Sequence, residues 1–252
     1  FVSAGWDVPA FAHIPLIHGP DGAKLSKRHG ALGVEQYREM GYLPETLKNY
    51  LLRLGWSHGD EEIISEEQAI AWFDMDAVGR SPSRMDFQRM QNLNAHYLRQ
   101  SDPVRLARMI APALNVSDDA DMVERLAAGM PGLTQRASTL PELAEAARFY
   151  VQRPHFPLEN PKAAKLVSGD GPAIAKDFAD QVLSTLSPWT TESLHDAMQA
   201  YCDAKGLGFG KVAQPIRGAV TGSNASPDLM EVLFVLGRDE CLARIAAVPA
   251  ES

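Results

Sequence analysis

From residue 33 to the C-terminus, apolar side chains recur at three- and four-residue spacing, segment after segment, and most segments open on a helix-start signal. This recurrence constrains the fold more than any other feature, because a 3.6-residue period buries its apolar stripe only as a helix packed on other helices. Leu47, Tyr50, Leu51 and Leu54 form one face behind Pro44, placed at a first helical position where a missing N–H is no loss, and Gly55 ends the segment. Ser65 with Gln68 three residues later reads as a capping box. Asp102-Pro103 opens a helix on Val104, Ala107, Ala111 and Leu114, and Thr139 with Glu142 opens one on Leu143, Ala147, Tyr150 and Val151. Ile174, Phe178, Val182 and Leu186 mark another, as do Leu194, Met198, Tyr201 and Cys202. Ser226-Pro227 starts a further one on Leu229, Val232, Leu233 and Leu236, closed by Gly237.

The first thirty residues have a different character. Phe11 to Ile17 reads as a strand, Gly19-Pro20-Asp21-Gly22 as a turn, and a loop follows. A lone strand leaves its backbone groups unpaired, so its partners are expected upstream of Phe1, in a longer chain from which this one is a piece. Proline- and glycine-rich loops at Arg153 to Pro161 and Ser187 to Thr190 group the later helices without making long linkers.

Composition excludes several classes. The longest apolar run, Met230 to Gly237, is eight residues and contains Glu231, far short of a membrane span. Cys202 and Cys241 are the only two cysteines, which fits a reducing cytoplasm and excludes a disulfide framework or a cysteine zinc site. The histidines, His18, His29, His155 and His195 among them, show no metal-ligand spacing, so no metal site is expected. A net charge of -8 argues against indiscriminate nucleic-acid binding, yet the charge is zoned. Leu54 to Gly79 carries seven acids and no Lys or Arg; Arg80 to Arg108 carries six arginines against Asp86 and Asp102. Ala204 to Pro227 has no acid, with Lys205, Lys211 and Arg217 as its charges. The two basic zones suit a phosphate backbone, although solvated helix faces would read the same way.

Gly22-Ala23-Lys24-Leu25-Ser26-Lys27-Arg28-His29-Gly30 gathers three permanent cations and a hydroxyl between glycines, a composition suited to a polyphosphate leaving group. Gly206 to Lys211 imitates a phosphate loop but is one residue short, and Val212 stands where a hydroxyl must meet magnesium. Arg136, just before a capped helix, and Arg217, in the acid-free zone, are the side chains best placed to read an unstacked base, with exposed salt bridges the competing reading. Pro215 and Gly218 suggest a helix start or kink that presents Arg217.

Taken in order, His13 to Ile17, Gly19 to Gly22 and Lys24 to Gly30 resemble the lysine-loop region of class I aminoacyl-tRNA synthetases in its glutamyl form. Tyr37 to Tyr42, Leu43-Pro44-Glu45, Asn49-Tyr50-Leu51 and Leu54 to Asp60 resemble the helical segment that follows it. Ser81 to Phe87 with Leu93 to Arg99 is similar to that family's stem-contact region, and Gln214 to Gly222, Ser226-Pro227 and Leu236 to Arg238 to its anticodon-binding end. Leu25 and Arg28 replace the usual Met and Ser, which keeps the lysine spacing and adds a cation. The family's other nucleotide motif, of His-Ile-Gly-His type, is absent, as are the residues that hold glutamate.

The resemblance implies a mainly α fold in three parts: the tail of a Rossmann catalytic domain over 1–32, a helical stem-contact region over 33–112, and an all-helical anticodon-binding domain over 113–252 that breaks near 187. It implies catalytic roles for Lys24 and Lys27 within a nucleotide-binding stretch of Lys24, Leu25, Ser26, Lys27 and Arg28. Arg136, Arg217, Pro227 and Leu229 would meet tRNA, with core burial the competing reading of Leu229. ATP with Mg2+, glutamate and tRNA(Glu) are the expected substrates of the full-length protein, a cytoplasmic monomer without membrane association. This fragment alone is expected to bind no cofactor and to be inactive. A stand-alone tRNA-binding module and a glutaminyl relative are the alternatives; the latter's anticodon module is built of β-barrels, which the helical period of residues 100–252 disfavours.

Overall fold

The computed structural model describes residues 1–25 and 33–249. They form two compact units, Phe1–Tyr97 and Leu98–Ser252.

In the first unit the strand is shorter than its apolar run. Only Ile17–His18 (β1) pairs, and its partner is Ser83–Arg84 (β2), in parallel, with Ile17 opposite Ser83 and His18 opposite Arg84. The expected partner upstream is thus at least partly supplied from within the chain, whereas residues 7–16 make no ladder and leave Phe11, Ile14 and Leu16 exposed. The turn is where the sequence puts it. Gly22, at φ +81°, donates to Gly19 O at 2.9 Å, and Leu25 N returns to Ile17 O at 3.0 Å. Helices follow: α1 (Val34–Glu39), α2 (Pro44–Gly55), α3 (Glu66–Trp72) and α4 (Phe87–Gln100). Pro44 begins α2, and the Ser65–Gln68 box caps α3, with bonds of 3.2 and 2.9 Å. The buried face of α2 is Thr46, Asn49 and Tyr50, while Leu51 is 46% exposed.

Polar pins explain that rotation of the face. Asn94, fully buried, accepts from Leu43 N at 2.8 Å and Thr46 Oγ1 at 2.7 Å. Asn49 donates to Glu62 O and accepts from Ile64 N, each at 3.0 Å. Apolar contact is supplied by Tyr37, Tyr42, Tyr50, Met85 and Met90, against which Ile17 and Leu25 pack, so the loop's base is anchored in the core.

The second unit contains α5 (Pro103–Leu114), α6 (Ala120–Leu133), α7 (Leu140–Val151), α8 (Pro161–Ala164), α9 (Gly171–Phe178), α10 (Thr191–Lys205), α11 (Phe209–Thr221), α12 (Leu229–Leu236) and α13 (Arg238–Ala246). α5, α6 and α7 pack on one another, α11 packs on α9 and α13, and α12 bridges to both α6 and α10. α5 lies against α6 and α7, within the second unit. Asp102, Thr139 and Thr190 cap α5, α7 and α10 through their side chains. The cap of α12 is Asp228, accepting from Met230 N at 2.9 Å, rather than Ser226. Val104, on the expected face of α5, is 43% exposed; Leu106 and Ile110 are buried instead. Gly129 lets α6 approach α7 closely, since a Cβ there would lie 2.3 Å from the Tyr150 ring. No strand occurs among the described residues 98–249.

Candidate nucleic-acid interface

Lys24 and Leu25 follow directly on the β1 turn. Lys24 is exposed and bridges to His18, Leu25 is half-buried against the core, and Asp21 Oδ1 accepts from Ala23 N at 3.0 Å to stiffen the turn. Arg84, brought alongside by the β1–β2 pairing, lies over Gly22, where a Cβ would meet its Nη2 at 2.9 Å. Ser26, Lys27 and Arg28 lie outside the described residues. Among the described residues no cluster of His, Cys, Asp or Glu could hold a metal ion.

In the second unit, Arg136, Arg217 and Pro227 come together. Arg136 is exposed in the turn after α6, and Gly132, one turn earlier, lets the α6 end approach Pro227, whose Cβ would lie 2.8 Å from an added Cβ. Arg217 is in the interior of α11, with Pro215 buried within the same helix, so it is not presented by a helix start. Its guanidinium is half-buried and tied to the loop before α12: Nη1 donates to Pro227 O at 2.8 Å, to Ser226 O at 3.4 Å and to Ser226 Oγ. Burial lowers its pKa, Asp228 opposes that shift, and the nearby Arg136 adds to it. Thr221 and Ser223 complete the loop: Thr221 Oγ1 donates to Arg217 O at 2.7 Å, and Ser223 Oγ donates to Ala225 O at 2.9 Å. Leu229 opens α12 and is 2% exposed, a core residue in this structure, and Pro227 is buried too.

The imitation phosphate loop resolves into a helix junction. Gly206, at φ +64°, ends α10 and Gly208 opens α11. Lys211 there pairs with Asp170 at 2.7 Å.

Three arginines escaped the sequence reading. Arg244, 1% exposed, donates from Nη1 to Phe149 O and Val220 O at 2.6 Å each, and from Nε to Glu240 at 2.7 Å. Arg153 joins the same carboxylate at 2.6 Å. The Arg153 hydrogen bonds hold Glu240 down to about 2, with Arg244 helping and burial opposing. An i,i+4 Glu–Arg pair was the only sequence signal. Arg53, in the last turn of α2, buries Nε and Nη1 without a hydrogen-bond partner among the described residues.

Residues 105–249, more than half of the chain, match the family described as "Anticodon binding domain", and the chain belongs to that family. Residues 2–92 match "tRNA synthetases class I (E and Q), catalytic domain". Curated relatives include glutamate–tRNA ligase 2 of Paramagnetospirillum magneticum, 51% identical over 97% of this chain and 52% of the relative. Glutamate–tRNA ligase 1 of Xanthobacter autotrophicus is 51% identical over 96% of this chain and 52% of the relative. Among solved structures, a glutamate tRNA ligase from Elizabethkingia meningosepticum in complex with its amino acid matches with a TM-score of 0.81 at 27% identity, covering 98% of this chain and 52% of that one. The chain thus spans about half the length of the relatives it matches.

Proposed function

We propose that the chain is the tRNA-binding half of a glutamate–tRNA ligase, which activates glutamate with ATP and transfers it to the 3′ end of tRNA(Glu). The observation that carries the reading is the order of the two family matches, a class I catalytic tail over 2–92 and an anticodon-binding domain over 105–249, within one chain. Lys24 and Lys27 steady the triphosphate as pyrophosphate leaves, within the stretch Lys24, Leu25, Ser26, Lys27 and Arg28; a positioned ammonium stabilises the charge that develops there. ATP enters with Mg2+ in the full-length protein. Residues 1–32 act as the catalytic tail, 33–112 as the stem-contact region and 113–252 as the anticodon reader. Arg136 supplies an exposed guanidinium to the anticodon, and Arg217 holds the Ser226-Pro227 loop against which the bases pack. Pro227 contributes the rigid wall of that loop, and Leu229 supports it from the core. The protein works as a cytoplasmic monomer; no helix among the described residues is long and apolar enough to cross a membrane.

Filter binding of the 252-residue chain to a tRNA(Glu) transcript tests the reading. The transcript should bind more tightly than one with a substituted anticodon, and equal affinity for the two would overturn it.

A further inference from the structure

We propose that Arg53 and Arg84 form a phosphate-binding recess in the first unit, beside the turn that carries the basic loop, and that it receives one phosphate of an RNA backbone. The recess rests on the function proposed above only for the source of that phosphate. It measures about 550 Å³, far more than a single water fills, and Pro20, Leu54 and Phe87 wall it. Arg53 lines it, and its buried Nε and Nη1 have no hydrogen-bond partner among the described residues, although buried guanidinium donors without an acceptor are strongly unfavourable. Such a group calls for an anion.

Asp86 and Arg89 carry the other charges in the lining. Asp86 Oδ1 accepts from Arg89 N at 3.0 Å, and Arg89 pairs with Glu62 at 3.0 Å, on the side of a smaller recess of about 170 Å³ that Arg53 also lines. Arg84, placed over Gly22, leaves a second guanidinium at the mouth. Two guanidiniums facing one recess match a tetrahedral phosphate, which accepts parallel N–H bonds from each. Because Arg84 is in β2, beside the turn that leads to Lys24, a phosphate held here sits next to that turn.

The test uses the 252-residue chain and its Arg53→Met and Arg53→Lys variants at low salt. The probes are inorganic phosphate, a 12-base-pair RNA duplex without a loop, and an anticodon stem-loop. Arg53→Met should weaken duplex binding about tenfold and flatten the log K against log salt slope by about one contact, with Arg53→Lys between the two. Its melting temperature should equal or exceed that of the parent, because the variant removes a buried charge that has no partner, so lost binding is not lost fold. Anticodon stem-loop affinity should not change. Arg53-dependent binding of inorganic phosphate without duplex binding would keep the recess and reassign its source to a free phosphate group. If the stem-loop does not bind at all while duplex binding depends on Arg53, the anticodon reading fails and the recess stands. Duplex affinity in Arg53→Met within twofold of the parent, with no phosphate binding to the parent, overturns the proposal.

Discussion

Replacing Arg217 with Met keeps the apolar stem packed within α11 and removes only the guanidinium. The group makes one well-formed bond, 2.8 Å to Pro227 O, and shares the same Nη1 with Ser226 O and Oγ. A charge-assisted bond of this kind contributes about 1.5 to 3 kcal/mol, and the variant also leaves acceptors in a buried segment unpaired. Part of that loss returns because a half-buried charge no longer has to be desolvated. The net cost to the second unit should be about 1 to 2 kcal/mol, read as a lowered urea midpoint without a changed slope. RNA binding should report on the loop separately. Affinity for tRNA(Glu) should fall by about 1 to 3 kcal/mol, roughly 5- to 150-fold, and much less for an anticodon-substituted transcript, since a loop that places base contacts carries sequence information and a phosphate contact does not. Equal losses on both transcripts would reduce Arg217 to a backbone contact. An unchanged urea midpoint together with unchanged binding would refute the tether itself.

Gly129→Ala should destabilise the second unit by about 1 to 3 kcal/mol despite the better helix propensity of alanine, because the new methyl meets the buried Tyr150 ring at 2.3 Å; a variant as stable as the parent in urea would contradict the close approach. Gly210→Ala, where nothing lies within 4 Å, is the matched control and should cost nothing. Glu240, held at about 2 in the fold against an ordinary 4.5, stabilises fully above pH 4.5 and loses that contribution as pH falls toward 2. The stability of Glu240→Gln should therefore trail the parent near neutrality and converge with it in acid, and parallel pH profiles would rule the linkage out. The pure chain should show no glutamate-dependent ATP–pyrophosphate exchange, and measurable exchange would sink the idea that it carries only part of the nucleotide site. In the full-length protein Lys27→Ala should slow adenylate formation by about 10² to 10³, or roughly 3 to 4 kcal/mol, with tRNA affinity nearly unchanged; a rate within twofold of the parent would remove Lys27 from the chemistry.

Local signals carried most of the helices. Pro44, the Ser65–Gln68 box, Asp102, Thr139 and Gly237 act within one turn of their own chain, and each does in the structure what its spacing implies. The ordered resemblance to a tRNA synthetase was likewise legible, because it is a string of residue types. Faces and partners were not. Leu51 and Val104 are apolar and correctly spaced, yet they face out, because Asn94 and Asn49 make bonds to segments remote in sequence that set the rotation of α2, and α6 and α7 decide the buried side of α5. The partner of β1 lies beyond α1, α2 and α3 at Ser83–Arg84, so no local pattern could place it. Arg217 reads as a presented cation in a proline–glycine context, but its hydrogen bonds depend on how α11 meets the loop before α12, which no local pattern states. Periodicity and capping are properties of neighbouring residues, which sequence states outright; burial, register and the engagement of an arginine are properties of pairs brought together by packing, and only the tertiary structure decides them.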